Sequence, residues 1–172
     1  MYKTKAVMQA GYVVDDLDAA MKNWLKLEQT GPFFVMRDAS PEHLLYRGKP
    51  ADLLMDIAIC QAGPIQVELI QPRISTPNVY RDEAPAAAQF FHHQCYVTDD
   101  LDAVHAKFIA MGIDIAQEAD TGGIRFTYFD TRKLIGCYTE VVQRGQVFGG
   151  MCKMIADAAV DWDGSNPIRS LA

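Results

Sequence analysis

Two stretches of the chain carry the same hydrophobic rhythm. Residues 6–14 and 90–98 are apolar segments of strand length, and each runs into an acidic pair, Asp15-Asp16 and Asp99-Asp100. Apolar residues at helical spacing follow: Leu17, Ala20, Met21, Trp24 and Leu25 after the first pair, Leu101, Val104, Phe108 and Ile109 after the second. The acidic pairs are placed to cap these helices, because a carboxylate at the N-cap accepts hydrogen bonds from the free N–H groups of the first turn. Beyond each helix the spacing shortens, predicting strands over residues 32–38, 52–61 and 65–71, then 113–118, 124–130 and 137–143, parted by Gly- and Pro-bearing turns. Each half therefore reads β-α-β-β-β.

The two halves are copies. Tyr12-Val-Val-Asp-Asp-Leu-Asp-Ala19 returns as Tyr96-Val-Thr-Asp-Asp-Leu-Asp-Ala103, seven of eight positions identical at an offset of 84 residues. The expected organisation is a first βαβββ module over residues 1–72, a linker over 73–90 rich in Pro, Ala and charge, a second module over 91–144, and a C-terminal helix and tail over 145–172. The helix stripe is Phe148, Met151, Cys152 and Ile155, stopped by Asp163-Gly164 and Pro167, and it is expected to cover an edge or a partner subunit. Each module alone would expose one face of a four-stranded sheet. The predicted fold is thus α+β, two tandem modules sharing a partly open, eight-stranded, barrel-like sheet with a cleft between equivalent strands, plus the C-terminal helix.

Composition narrows the partners. A formal charge of −6 without a Lys/Arg cluster argues against nucleic acid. The apolar runs fall short of a bilayer span and residues 1–16 lack the apolar core of a secretory signal, so a cytoplasmic protein without membrane partner is expected. Cys60, Cys95, Cys137 and Cys152 are scattered in apolar stretches and read as reduced, buried thiols rather than disulfides or nucleophiles.

The repeat singles out equivalent polar positions. Gln9 and His93 each stand seven residues before the second Asp of their acidic pair, on the first strand of their module. On each last strand a glutamate interrupts an apolar run: Glu68 in Ile65-Gln-Val-Glu-Leu-Ile70 and Glu140 in Cys137-Tyr-Thr-Glu-Val-Val142. A carboxylate facing a barrel interior is costly unless it is paired or bound to a cation, so two converging with an imidazole make a divalent metal a natural solution. Strand alternation puts His92 on the face opposite His93, in a structural role, and His43 and His105 match no such position. The spacing from Gln9 to Glu68 is 59 residues against 47 from His93 to Glu140, which places an insertion between Gly31 and Leu53, around Tyr46-Arg47-Gly48.

With these residues in view, the chain resembles the vicinal oxygen chelate superfamily, the glyoxalase, bleomycin-resistance and dioxygenase group. The motifs that carry the resemblance are residues 9–19, Val67-Glu68-Leu69-Ile70-Gln71-Pro72, residues 93–103, and Tyr138-Thr139-Glu140-Val141-Val142. The resemblance implies one divalent metal (Zn, Ni, Co, Mn or Fe(II)) held by Gln9, Glu68, His93 and Glu140. That set is most like glyoxalase I and also similar to methylmalonyl-CoA epimerase. It implies a metal-dependent lyase or isomerase that takes a proton from carbon next to a carbonyl of a small organic substrate. In the family scheme Glu140, or Glu68 as alternative or partner, is the base, and the enediolate or enolate is held at the metal. The alternatives are a resistance-type binding protein without turnover and, further off, an extradiol-type dioxygenase, for which Gln9 stands where a His is needed. Phe33, Phe34, Tyr46, Phe126 and Tyr128 are candidates to line the pocket, weighed against plain core packing. Arg47 could meet a substrate carboxylate, weighed against a solvated guanidinium. A homodimer is the expected assembly.

Overall fold

The computed structural model describes residues 6–82 and 89–171. The first module comprises β1 (Gln9–Val13), α1 (Leu17–Leu27), β2 (Phe33–Ala39), a two-strand insertion β3 (Leu45–Tyr46) and β4 (Lys49–Pro50), β5 (Met55–Ala62) and β6 (Ile65–Pro72). A 3-10 turn, Val79–Arg81, lies in the connection. The second module has β7 (Phe90–Thr98), α2 (Leu101–Ala110), β8 (Ile115–Thr121), β9 (Ile124–Phe129), a short α3 (Arg132–Ile135) and β10 (Tyr138–Gln143), followed by α4 (Gln146–Ala159) and β11 (Ile168–Ser170).

The repeated acidic pair does the same work twice. Asp16 and Asp100 are N-caps in near-identical extended conformations, φ −139° and −140°. Each carboxylate accepts from the N–H three residues on, Ala19 and Ala103, at 2.9 Å. The helix α1 buries Leu17, Ala20 and Met21 against Phe33, Val35, Ala58 and Leu69. Full burial of Leu17 or Met21 contributes about 1.5–3 kcal/mol apiece. Leu101 and Val104 of α2 pack in the same way on Phe129 and Val141. The stripe ends sooner there, for Ile109 is 60% exposed, whereas its counterpart Leu25 is packed beside Gly31 and the tail residue Trp162.

All strands form one sheet in the order β11-β2-β5-β6-β1-β7-β10-β9-β8-β3-β4. Each module contributes four strands, with its first strand parallel to its last, β1 on β6 and β7 on β10. The modules join where β1 and β7 run antiparallel. The sheet stays partly open. Among the described residues it has eleven strands rather than the eight expected, and the three extra ones are short edge pieces. β11 adds parallel to β2, and the insertion crosses over to pair Leu45 and Tyr46 with Glu118 and Gln117 of β8. The C-terminal tail thus covers an edge, while α4 bridges the modules, burying Ile155 with Phe34 and Ile59 and Phe148 with Cys95 and Val142. The connection is not a purely surface segment: Asn78, Val79 and Tyr80 are buried. Residues 83–88 of the expected linker lie outside the described residues. No helix among the described residues is long and apolar enough to cross a membrane.

Candidate metal centre

The central strands of the sheet bring three of the four candidate ligands into one cluster. Glu68 sits on β6 opposite Gly11 of β1, and Glu140 on β10 opposite Cys95 of β7, so the two carboxylates occupy matching places on either side of the module junction. His93 reaches between them, its Nε2 3.4 Å from Glu68 Oε2 and 3.2 Å from Glu140 Oε2. One donor atom from each of these residues lies within 4.8 Å of the others. His93 is fully buried, and neither its Nε2 nor Glu140 Oε2 has a hydrogen-bond partner among the described residues. Gln9 is buried beside the cluster and faces the same cavity, its Nε2 3.4 Å from Gln66 Oε1.

Two local features place the imidazole. The first is Gly11: a methyl group there would overlap the His93 ring, so the ring occupies the volume a side chain would take. The second is a bulge in β7. Gly11 pairs with His93 but Tyr12 pairs with Phe91, leaving His92 as the extra residue. The bulge breaks the alternation that would send His92 and His93 to opposite faces, so both are buried and their rings meet at 85° with centroids 5.2 Å apart.

The electrostatics suit a cation. Burial would lower the His93 imidazole, but Glu140 and Glu68 outweigh it and raise it to about 9. Burial raises the Glu68 carboxyl above its ordinary value, opposed by the adjacent His93 imidazole and reinforced by the Glu140 charge. Positive charge, whether a proton or a metal, is therefore strongly favoured here. One nitrogen and two carboxylates, with His93 Nε2 and Glu140 Oε2 buried and unpartnered, and an amide alongside, form a donor set that fits Zn, Ni, Co, Mn or Fe(II).

Glu68 and Glu140 of the cluster, with Gln9, line a cavity of about 180 Å³. Its walls are mostly apolar: Met36, Met55, Ile57 and Ile59 from the first module, Ile124, Phe126 and Val142 from the second, and Phe148 and Met151 from α4. Tyr80 and Tyr128 also face it, their hydroxyls 3.1 Å apart. Burial, with the two glutamate charges adding, raises both phenols well above their usual range, so both remain neutral donors.

A family model for the Glyoxalase/Bleomycin resistance protein/Dioxygenase superfamily matches residues 8–128. The chain belongs to this superfamily. The match takes in Gln9, Glu68 and His93 and stops short of Glu140, which the fold adds. No curated protein matches the sequence significantly. Among solved structures, methylmalonyl-CoA epimerase from Mycobacterium tuberculosis is similar at 15% identity and a TM-score of 0.58, covering 87% of this chain and 97% of that one. A hypothetical protein from Bacillus halodurans aligns at 12% identity and a TM-score of 0.60, covering 84% and 97%. Streptomyces coelicolor methylmalonyl-CoA epimerase, in complex with 2-nitronate-propionyl-CoA, aligns at 17% identity and 0.56, covering 83% and 99%. At these identities the likeness is one of fold.

Within this superfamily fold the predicted pocket residues divide. Phe126 and Tyr128 line the cavity. Phe33 does not: it lies in the core beneath α1, and Phe34 is buried under α4 with Ile155. Tyr46 and Arg47 are also away from the cavity. The Tyr46 hydroxyl donates to Asp82, and Arg47 Nη2 binds Asp82 at 2.7 Å and Asp130 at 3.1 Å, so this half-exposed, water-facing guanidinium is engaged in an ion network rather than facing a substrate. Cys95 is fully buried, and burial and then the Glu140 charge push its thiol well above the ordinary value, away from the thiolate a nucleophile requires. Sequence reasoning missed Gly11, Tyr80, His92, Phe148 and Met151 as site residues. Gly11 carried a signal, since a glycine inside a strand often marks close approach of another group. Val79-Tyr80, an apolar pair in a polar connection, was a second.

Proposed function

We propose that this protein is a divalent-metal-dependent lyase or isomerase that removes a proton from carbon next to a carbonyl of a small, largely apolar substrate. The observation that carries the reading is the Glu68, His93 and Glu140 cluster, with His93 Nε2 and Glu140 Oε2 buried and unpartnered, beside a mostly apolar cavity. Bound there, a metal supplies Lewis acidity to the substrate carbonyl and so acidifies the adjacent C–H. Glu68, His93 and Glu140, with Gln9 alongside, would hold it. Glu140 serves as the base, its Oε2 being free of hydrogen bonds, and Glu68 is its partner or alternative. The apolar walls exclude water and confine the reacting group, and the neutral hydroxyl pair of Tyr80 and Tyr128 offers a hydrogen bond to substrate oxygen.

The cavity bears on substrate class. Among the described residues no Lys or Arg lines it, and about 180 Å³ accommodates a small acyl or hydroxy-carbonyl group rather than a large polyanion. A thioester substrate, such as the fold-level likeness to methylmalonyl-CoA epimerases suggests, would place only its acyl end inside. The first test is divalent metal content after purification without added metal, for wild type and for a His93→Ala, Glu140→Ala double variant. Near-stoichiometric metal lost in the variant, with solvent deuterium entering an α-hydroxy carbonyl or acyl-CoA probe, is the expected result. Equal, negligible metal in both would overturn the reading and favour a binding protein that uses the same apolar cavity without turnover.

A further inference from the structure

We infer that His92 is a positioning residue, which fixes the His93 proton at Nδ1 and so leaves Nε2, the atom between Glu68 and Glu140, as the one that takes the cation. The inference rests on the metal-site reading above and adds to it a residue outside the ligand set. His92 Nε2 lies 3.0 Å from the Val79 carbonyl oxygen. A carbonyl only accepts, so this nitrogen carries a proton and donates it. A neutral His92 then has a lone pair at Nδ1, and 3.0 Å away stands His93 Nδ1. That atom must be the donor, and His93 Nδ1 carries its proton. Of the four ring nitrogens, the one left without a hydrogen-bond partner is His93 Nε2, the atom between the two carboxylates.

The opposite assignment would have His92 donate from both nitrogens as an imidazolium. Its ring is packed among Tyr80, Phe90, Tyr128 and Tyr138 at centroid distances of 4.8–6.1 Å, and an unpaired buried cation among aromatic rings and a carbonyl is costly beside a neutral alternative. The chain of donors therefore runs one way, from His93 through His92 to Val79. Its far end belongs to the inter-module connection, where Asn78 Oδ1 accepts from Tyr80 N–H at 3.0 Å and shapes the turn that offers the Val79 carbonyl. The connection thus reaches the imidazole through two hydrogen bonds. Outer groups of this kind fix ring orientation and raise ligand basicity.

Co(II) binding and the Co(II) absorption spectrum of His92→Phe and His92→Gln, against wild type, test this. His92→Phe keeps a ring but no acceptor, and about 10–100-fold weaker Co(II) binding with an altered spectrum is expected. His92→Gln can donate to Val79 and accept from His93, and should recover most of the loss. Wild-type affinity and spectrum in His92→Phe would overturn the inference while leaving the metal site intact. No Co(II) binding in wild type would overturn the underlying reading instead, and the inference with it. Equal losses in both variants would mark His92 as merely structural. If neither variant folds, nitrogen NMR of histidine-labelled wild-type protein decides: the inference requires His92 protonated at Nε2 and His93 at Nδ1, and His92 protonated at Nδ1 would overturn it.

Discussion

The first and second modules share a helix cap, a strand order and a glutamate on the last strand, yet only one of them supplies an imidazole. Glu68 lies opposite Gly11, and Glu140 opposite Cys95, which are equivalent positions at the repeat offset. In the first module that position is empty of side chain and holds the His93 ring. In the second it holds a buried thiol. Gln9, the counterpart of His93, reaches Gln66 instead. Duplication thus yields a symmetric pair of carboxylates, and a few unmatched residues turn the symmetric cleft into a single centre with one nitrogen. A glycine in one copy makes room for a histidine of the other.

That comparison can be broken or sharpened by changing matched positions. The largest effect is expected for the glutamates. If Glu140 is the base, Glu140→Gln lowers proton exchange on a carbonyl probe by about 10²–10⁴-fold, and Glu68→Gln by much less. Equal losses would mean that the pair acts symmetrically. Next, Gly11→Ala should displace His93, weakening Co(II) binding by at least about 10-fold. Overpacking in this variant should lower stability by about 1–3 kcal/mol. Cys95→Ala at the equivalent position should leave Co(II) binding near wild type, as read by metal titration and thermal unfolding. If the two variants bound Co(II) alike, the asymmetry would lie elsewhere.

The smallest effect concerns the insertion found only in the first module, which is pinned to the second by Arg47 and Asp130. Arg132 first, and then Arg47, hold the Asp130 carboxyl down at about 2, below its ordinary 3.8. A depressed carboxyl stabilises the fold above the unfolded value and loses that contribution as pH falls through the folded one. Asp130→Asn should therefore flatten the acid side of the melting temperature against pH between about 4 and 2. The change should be at most about 1 kcal/mol, because Arg47 is 39% exposed and water screens the pair. An unchanged acid profile would detach this ion network from the docking of the insertion.

Much of this molecule was legible before its structure. The eight main strands and three principal helices each have a hydrophobic period long enough to read, and the repeat supplied Gln9, Glu68, His93 and Glu140 by position. The strands β3, β4 and β11 span two or three residues and are too short to carry a period. Alternation misplaced His92, because a bulge is a property of two paired strands and not of one. Phe33 and Phe126 are the same residue type, both on strands, yet one is core under α1 and the other cavity wall. Arg47 could look free until the folded chain brought Asp82 and Asp130 to it. Sequence by itself determined the duplicated modules and the polar residues set into their central strands, since burial pattern and spacing are local. Only the tertiary structure decided which face becomes a cavity, that Gly11 yields its space to His93, and that the connection reaches the imidazole through His92, because these depend on groups far apart in sequence meeting across strand pairings.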